Sequence, residues 1–291
     1  MRNLCYCGFM LVVVYVVMGL TNLAFARGSA INTKIEFKNK GEIVRILHLE
    51  EFAAIASERF LKIYEPHEKR IRTYQVYSAR SLFDHIFGKN WREAEEIVFL
   101  CADGYQPSIP VAKFLAYDAY FAFASADDSP FTLENVLQNN ETVKLEPLYL
   151  VWDSLKSTEL REEGAADMPY QIKEIELASF ATRFPALFPP ANASQQVQQG
   201  FLHFRKHCIA CHTINGQGGG KAPELNYPLS VTEYIQPEYL KRWIDNPSSI
   251  RYNTTMPPLT AEIPAREKVI EELIAYLKAI STVKRIPGAI P

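Results

Sequence analysis

Cys208-Ile209-Ala210-Cys211-His212 places two thiols two residues apart, directly before an imidazole. This C-x-x-C-H spacing is the attachment signature of c-type haem. Two thiols add to the two vinyl groups of one porphyrin edge, and the adjacent histidine presents a ring nitrogen to the iron. Zinc sites also open on two cysteines at this spacing, but no second C-x-x-C pair stands elsewhere to close a tetrahedron. A thioredoxin-like redox pair would need βαβ surroundings and would have no use for His212.

An iron held by His212 takes Met or His opposite it in a low-spin electron carrier. Beyond residue 26 the only methionines are Met168, after the charged Glu162-Glu163 loop, and Met256, in Asn253-Thr254-Thr255-Met256-Pro257-Pro258-Leu259. The second is a polar-flanked loop stiffened by two prolines, and Met256 is the candidate ligand. His203 and His207 are the alternatives, although His207 directly precedes Cys208 and helical geometry turns it away from the iron face. An open sixth position would instead favour gas binding or peroxidase chemistry.

Helices must position these groups. Asn192 can cap a helix with Gln195 three places on, and Val197, Phe201, Phe204 and Cys208 then fall on one face. A middle helix is expected around 239–244, ended by Asn246-Pro247, and a last one over 265–280 with Val269, Ile270, Leu273, Ile274 and Leu277 on its apolar face. The tail is expected to be all α. Gly216, Gly218, Gly219 and Gly220 lack the following Lys-Ser/Thr of a phosphate loop and suit close backbone approach to a haem edge. Trp243 and Tyr252 are aromatic candidates to flank the haem, or simple core.

Over residues 194–285 these features resemble the class I cytochrome c family: the opening helix into C-x-x-C-H, the Gly-rich loop, Leu240 to Pro247 as the middle helix, and Thr255-Met256-Pro257-Pro258 as the methionine loop. In that family a proline carbonyl orients the proximal histidine. Pro223, in Lys221-Ala222-Pro223-Glu224-Leu225, matches that position, so the resemblance implies a bond that fixes the His212 ring and raises its basicity.

Upstream, β-branched and aromatic runs at 35–37, 43–47, 59–64, 97–101, 148–152 and 172–177 read as strands, and helical spacing recurs at 49–56, 79–87 and 111–117. An α+β domain over 27–184 is expected, then a proline-rich linker over 185–193, then a haem domain over 194–291. Tyr64-Glu65-Pro66-His67, Leu82 to Gly88, Cys101-Ala102-Asp103-Gly104-Tyr105 and Pro147 to Trp152 resemble, in that order, the molybdopterin-binding domain of the sulfite oxidase family, across about residues 40–180. That family's molybdenum-ligating cysteine falls well before the Asp-Gly-Tyr turn. The matching stretch, Arg59 to Tyr77, has no cysteine, which argues against bound molybdopterin. Cys101 reads as a buried structural thiol, and His67 and His85 as packing or surface residues.

Composition agrees with a globular body: 48% of the 291 residues are apolar and 22% charged. Residues 27–193 hold 19 Lys+Arg against 25 Asp+Glu, and residues 194–291 hold 11 against 8, a balance that does not suggest nucleic acid. Arg2, the apolar run from Leu4 to Leu23 and Ala24-Phe25-Ala26 form a signal-peptide pattern, with cleavage expected after Ala26 and an uncleaved anchor as the alternative. The sequence thus predicts a periplasmic carrier of one covalent haem, passing single electrons between a donor and an acceptor protein. The front domain would serve as a docking or scaffold module. A haem enzyme with its own cofactor in the front domain, and a structural haem subunit of a membrane respiratory complex, are the rival readings.

Overall fold

A computed structural model describes residues 33–136, 138–259 and 263–288. The expected signal segment lies outside them. Among the described residues no helix is long and apolar enough to cross a membrane.

The first hydrophobic core is built on two sheets. One has the strand order β2-β1-β11-β5-β6, from β1 (Lys34–Asn39), β2 (Glu42–His48), β5 (Glu96–Cys101), β6 (Ser108–Pro110) and β11 (Ile172–Ala178). The other has the order β10-β7-β4-β3, from β3 (Arg59–Glu65), β4 (Arg70–Ser78), β7 (Ala119–Ser125) and β10 (Tyr149–Trp152). A separate hairpin pairs β8 (Thr132–Asn135) with β9 (Glu141–Lys144). Helices α1 (Ala79–Ile86) and α2 (Val111–Ala116) bury Phe83 and Phe114 against the sheets, and α3 (Thr158–Glu162) buries Leu160. All six expected strands form. β4, β6, β7, β8 and β9 were not expected: β4 mixes Arg, Thr and Gln among its apolar residues and β7 is almost uniformly apolar, so neither shows a clean alternation, and the other three are only three or four residues long.

β5 explains why the two parts of the chain do not separate. Ile97 and Phe99 belong to the first core, while Val98, pointing to the opposite face, belongs to the second. Glu96 shares the face of Val98 and pairs with Arg205 from beyond the expected linker. The first core therefore supplies one wall of the second, and the described residues form one compact unit.

The first part of the expected linker, 185–187, is packed rather than extended, while 188–193 have neither helix nor strand. After α4 (Phe180–Arg183), Pro185–Leu187 make a 3-10 turn, Leu187 is fully buried, and the Tyr276 hydroxyl donates to its carbonyl oxygen at 2.7 Å. Prolines deny the segment helical hydrogen bonds, but Phe180, Phe184 and Leu187 gain enough from burial to hold it in the second core.

That second core is carried by α5 (Gln195–His207), the short α6 (Val231–Tyr234), α7 (Pro237–Asp245) and α8 (Arg266–Ile280). Ser194, not Asn192, caps α5: the helix begins at Gln195, so it is the Ser194 hydroxyl that reaches the Val197 N–H, at 3.4 Å. The tail is not wholly helical, since β12 (Thr213–Ile214) and β13 (Gln217–Gly218) form a minimal hairpin around Asn215-Gly216. Both turn residues have positive φ, the requirement of a type I′ turn.

Candidate functional site

Apolar residues at helical spacing make α5, and α5 delivers the two thiols. Phe201 and Phe204 bury one face, and the chain leaves the helix at Cys208, whose N–H still bonds the Phe204 carbonyl at 2.9 Å. A tight turn follows, with Cys211 N–H and His212 N–H both donating to the Cys208 carbonyl, at 3.1 and 3.0 Å. Neither cysteine is in a disulfide, and both are half-buried. Burial pushes the Cys208 thiol up to about 12 and the Cys211 thiol up to about 11. A thioredoxin-type pair works through a lowered thiol pKa, so this environment is the reverse of what that chemistry uses.

The glycine-rich segment returns against this turn. Gly219 N–H donates to the Ile209 carbonyl at 2.7 Å, and a Cβ at Gly219 would sit 1.9 Å from the Ala210 oxygen. No side chain fits there, so close approach, not phosphate binding, accounts for glycine. The return ends with Ala222 N–H on the Cys211 carbonyl at 2.9 Å and the Leu225 N–H on the Thr213 carbonyl at 3.0 Å.

This return places the Pro223 carbonyl oxygen 2.7 Å from Nδ1 of His212. A carbonyl can only accept, so Nδ1 carries the hydrogen and Nε2 is left with its lone pair. Burial holds the His212 pKa below its ordinary value, partly opposed by the Pro223 bond, so the ring is neutral at neutral pH. Two free thiols and a neutral imidazole with a fixed tautomer, all on one turn, are the donor set a covalent haem needs.

Sequence reasoning missed Glu224, the residue that fixes the return. Its carboxylate accepts the N–H groups of Asn215 at 2.8 Å, Gly216 at 2.9 Å, Asn226 at 2.8 Å and Tyr227 at 3.1 Å. Burial raises its pKa, but the bonds from Gly216, Thr213, Asn226 and Asn215 outweigh that and hold the carboxyl below the usual range. An acid directly after the orienting proline, opposite an Asn-Gly turn, was the available signal.

Cys208, Cys211, His212 and Pro223 are thus gathered together. Met256 sits on a different loop, half-buried, its N–H bonded to Thr254 Oγ1 at 3.2 Å. After Met256 the chain is tied at Leu259, whose N–H donates to the Ile244 carbonyl at 3.2 Å and whose carbonyl accepts Arg266 Nε at 2.9 Å. Of the alternatives, His203 Nε2 is committed to Glu272 on α8 at 3.0 Å, and the His207 ring stacks on His203 at 6.3 Å. Those two histidines do not join the cysteines: no group of three His, Cys, Asp or Glu among the described residues is arranged to hold a metal ion. Trp243 is half-buried and Tyr252 is 95% exposed, so Tyr252 is not core.

In the first core, Cys101 is 1% exposed and its thiol is pushed far up by burial. His85 is exposed, and Met168 is buried in the first core. His67 is buried and its Nδ1 lies 2.8 Å from Oε1 of the fully buried Glu65, which also accepts the hydroxyls of Tyr74 and Tyr149, each at 3.0 Å. This is a satisfied buried polar network within the sheet packing.

Residues 195–277 match the family described as cytochrome C oxidase, cbb3-type, subunit III. No curated protein matches the chain. The family match supports a cytochrome c family for this segment, and a cytochrome c-like domain implies haem c and haem-based electron transfer with redox partners or respiratory complexes.

Proposed function

We propose that the protein is an exported, periplasmic c-type cytochrome that holds one covalent haem through Cys208 and Cys211, with His212 and Met256 as axial ligands. It passes single electrons between a donor and an acceptor redox protein. Residues 40–180 are read as a degenerate domain of the sulfite oxidase type, without molybdopterin, acting as a docking or scaffold module.

The observation that carries the haem reading is the 2.7 Å bond between His212 Nδ1 and the Pro223 oxygen, on the same turn as two free thiols. When bound, the haem supplies a one-electron ferrous–ferric couple. The chain does the rest. Pro223 fixes the imidazole tautomer, Glu224 fixes Pro223's loop by gathering four N–H groups, and Pro257 and Pro258 restrict the backbone that presents Met256. Ligands held in this way change little between oxidation states, which keeps reorganisation small.

The test is retention of haem stain on a denaturing gel, after expression with the native leader and a haem-attachment system. Wild-type protein should stain, and Cys208→Ser or Cys211→Ser should weaken or abolish the band. Wild-type protein that sheds all its haem on denaturation would overturn the assignment.

A further inference from the structure

One loop of the first core reaches across to the attachment turn. Between β5 and β6, Cys101 N–H donates to the Tyr105 carbonyl at 2.9 Å, and Asp103 Oδ1 accepts the Tyr105 N–H at 2.9 Å, which closes a tight turn. From that turn Gln106 N–H donates to the Ala210 carbonyl, between the two thioether cysteines, at 2.7 Å. In return Gly220 N–H donates to the Gly104 carbonyl at 2.8 Å. The approach leaves no room: Gly104 has φ +86, and a Cβ there would lie 2.9 Å from the Gly220 carbonyl carbon.

The same contact carries a charge pair. Lys221 Nζ lies 2.7 Å from Asp103 Oδ2 and 3.4 Å from the Tyr170 hydroxyl, with the ring centroids of Tyr170 and Tyr105 at 5.5 and 5.9 Å. Both members are about three-quarters buried, at 24% and 26% side-chain exposure, so water screens them weakly. The pair stands beside the attachment turn, because the N–H of Ala222, the residue after Lys221, donates to the Cys211 carbonyl at 2.9 Å.

We infer that the Asp103–Gln106 turn is a wall of the haem site, and that the Lys221–Asp103 pair sets the haem's reduction potential, making the first core a potential-tuning part of the centre. This rests on the haem reading above. The sign follows from Coulomb's law: a nearby cation favours the ferrous state and a nearby anion the ferric state. Asp103 and Lys221 act here as positioning and tuning residues, since neither supplies a ligand.

The experiment is a redox titration of purified, haem-loaded full-length protein, with hydrogen exchange of the Gln106 and Gly220 amides read in parallel. Asp103→Asn should raise the midpoint potential, Lys221→Gln should lower it, and the double variant should return close to wild type. Gly104→Ala should wedge the turn off, speeding exchange at both amides and lowering the potential as water reaches the haem edge. Single variants that shift the potential in the same direction, or not at all, overturn the inference while leaving the haem reading intact. Wild-type protein without covalent haem overturns the reading beneath it. If Asp103→Asn fails to fold, the downward shift in Lys221→Gln and the exchange in Gly104→Ala decide the matter, and an unchanged result in either refutes it.

Discussion

A Cβ added to Gly200 on α5 would lie 1.9 Å from the carbonyl oxygen of Glu272 on α8. The two helices cross in backbone contact at this point, with the Tyr276 Cβ only 2.8 Å from the same position. Glycine inside a helix costs about 1 kcal/mol relative to alanine, so propensity alone favours replacing it. Overpacking costs about 1–3 kcal/mol or more, and here the obstruction is backbone, which cannot rotate away. The clash wins. Gly200→Ala is expected to lower stability by at least about 1 kcal/mol, measured as an earlier denaturant midpoint with an unchanged slope.

The proposed function gives Met256 the second ligand position on the iron. Thioether favours ferrous over ferric iron relative to nitrogen or water, so Met256→Ala should lower the potential. The weak ferric band at the red end of the spectrum should disappear, and carbon monoxide or cyanide should bind. Met256→His should restore six-coordinate, low-spin iron at a lower potential. An unchanged ferric spectrum and unchanged ligand reactivity in Met256→Ala would move the axial role to another residue.

Glu224 couples the site to pH. Its folded pKa lies below the ordinary 4.5, so its contribution is fully present above pH 4.5 and is lost as pH falls through the lowered value. Glu224→Gln keeps the shape but removes the charge on which four N–H groups converge. At pH 7 the loss should be about 1–2 kcal/mol after solvent screening. Melting temperature followed against pH should fall less steeply below about pH 4.5 in the variant than in wild type. Parallel curves would assign the acid sensitivity to another group.

Cys101 should be dispensable for redox behaviour. It ends β5 inside the first core, and Cys101→Ala opens a small cavity costing on the order of 1 kcal/mol. The haem spectrum and midpoint potential should be unchanged. Loss of a non-haem metal from this variant would revive an enzymatic reading of the front part of the chain.

The sequence by itself determined the attachment turn, because C-x-x-C-H encodes the chemistry in adjacent residues, and it determined α5 and α8, because Phe201, Phe204, Leu273 and Leu277 repeat with the helical period. Pro223 was legible only by resemblance. Its bond to His212 spans eleven residues and depends on how a glycine-rich loop folds back. Glu224 offered only an indirect signal, its place after Pro223 and opposite the Asn215-Gly216 turn, because the groups it binds are backbone amides, which carry no residue signature. Tertiary structure alone decided that the start of the expected linker, Pro185–Leu187, is packed and that the first core touches the attachment turn. Val98 and Ile97 are neighbours with the same apolar character, and only the pleat of β5 sends one to each core. Asp103 and Lys221 lie far apart in the chain. Their pairing follows from two loops meeting across that shared wall, a fact of topology rather than of composition.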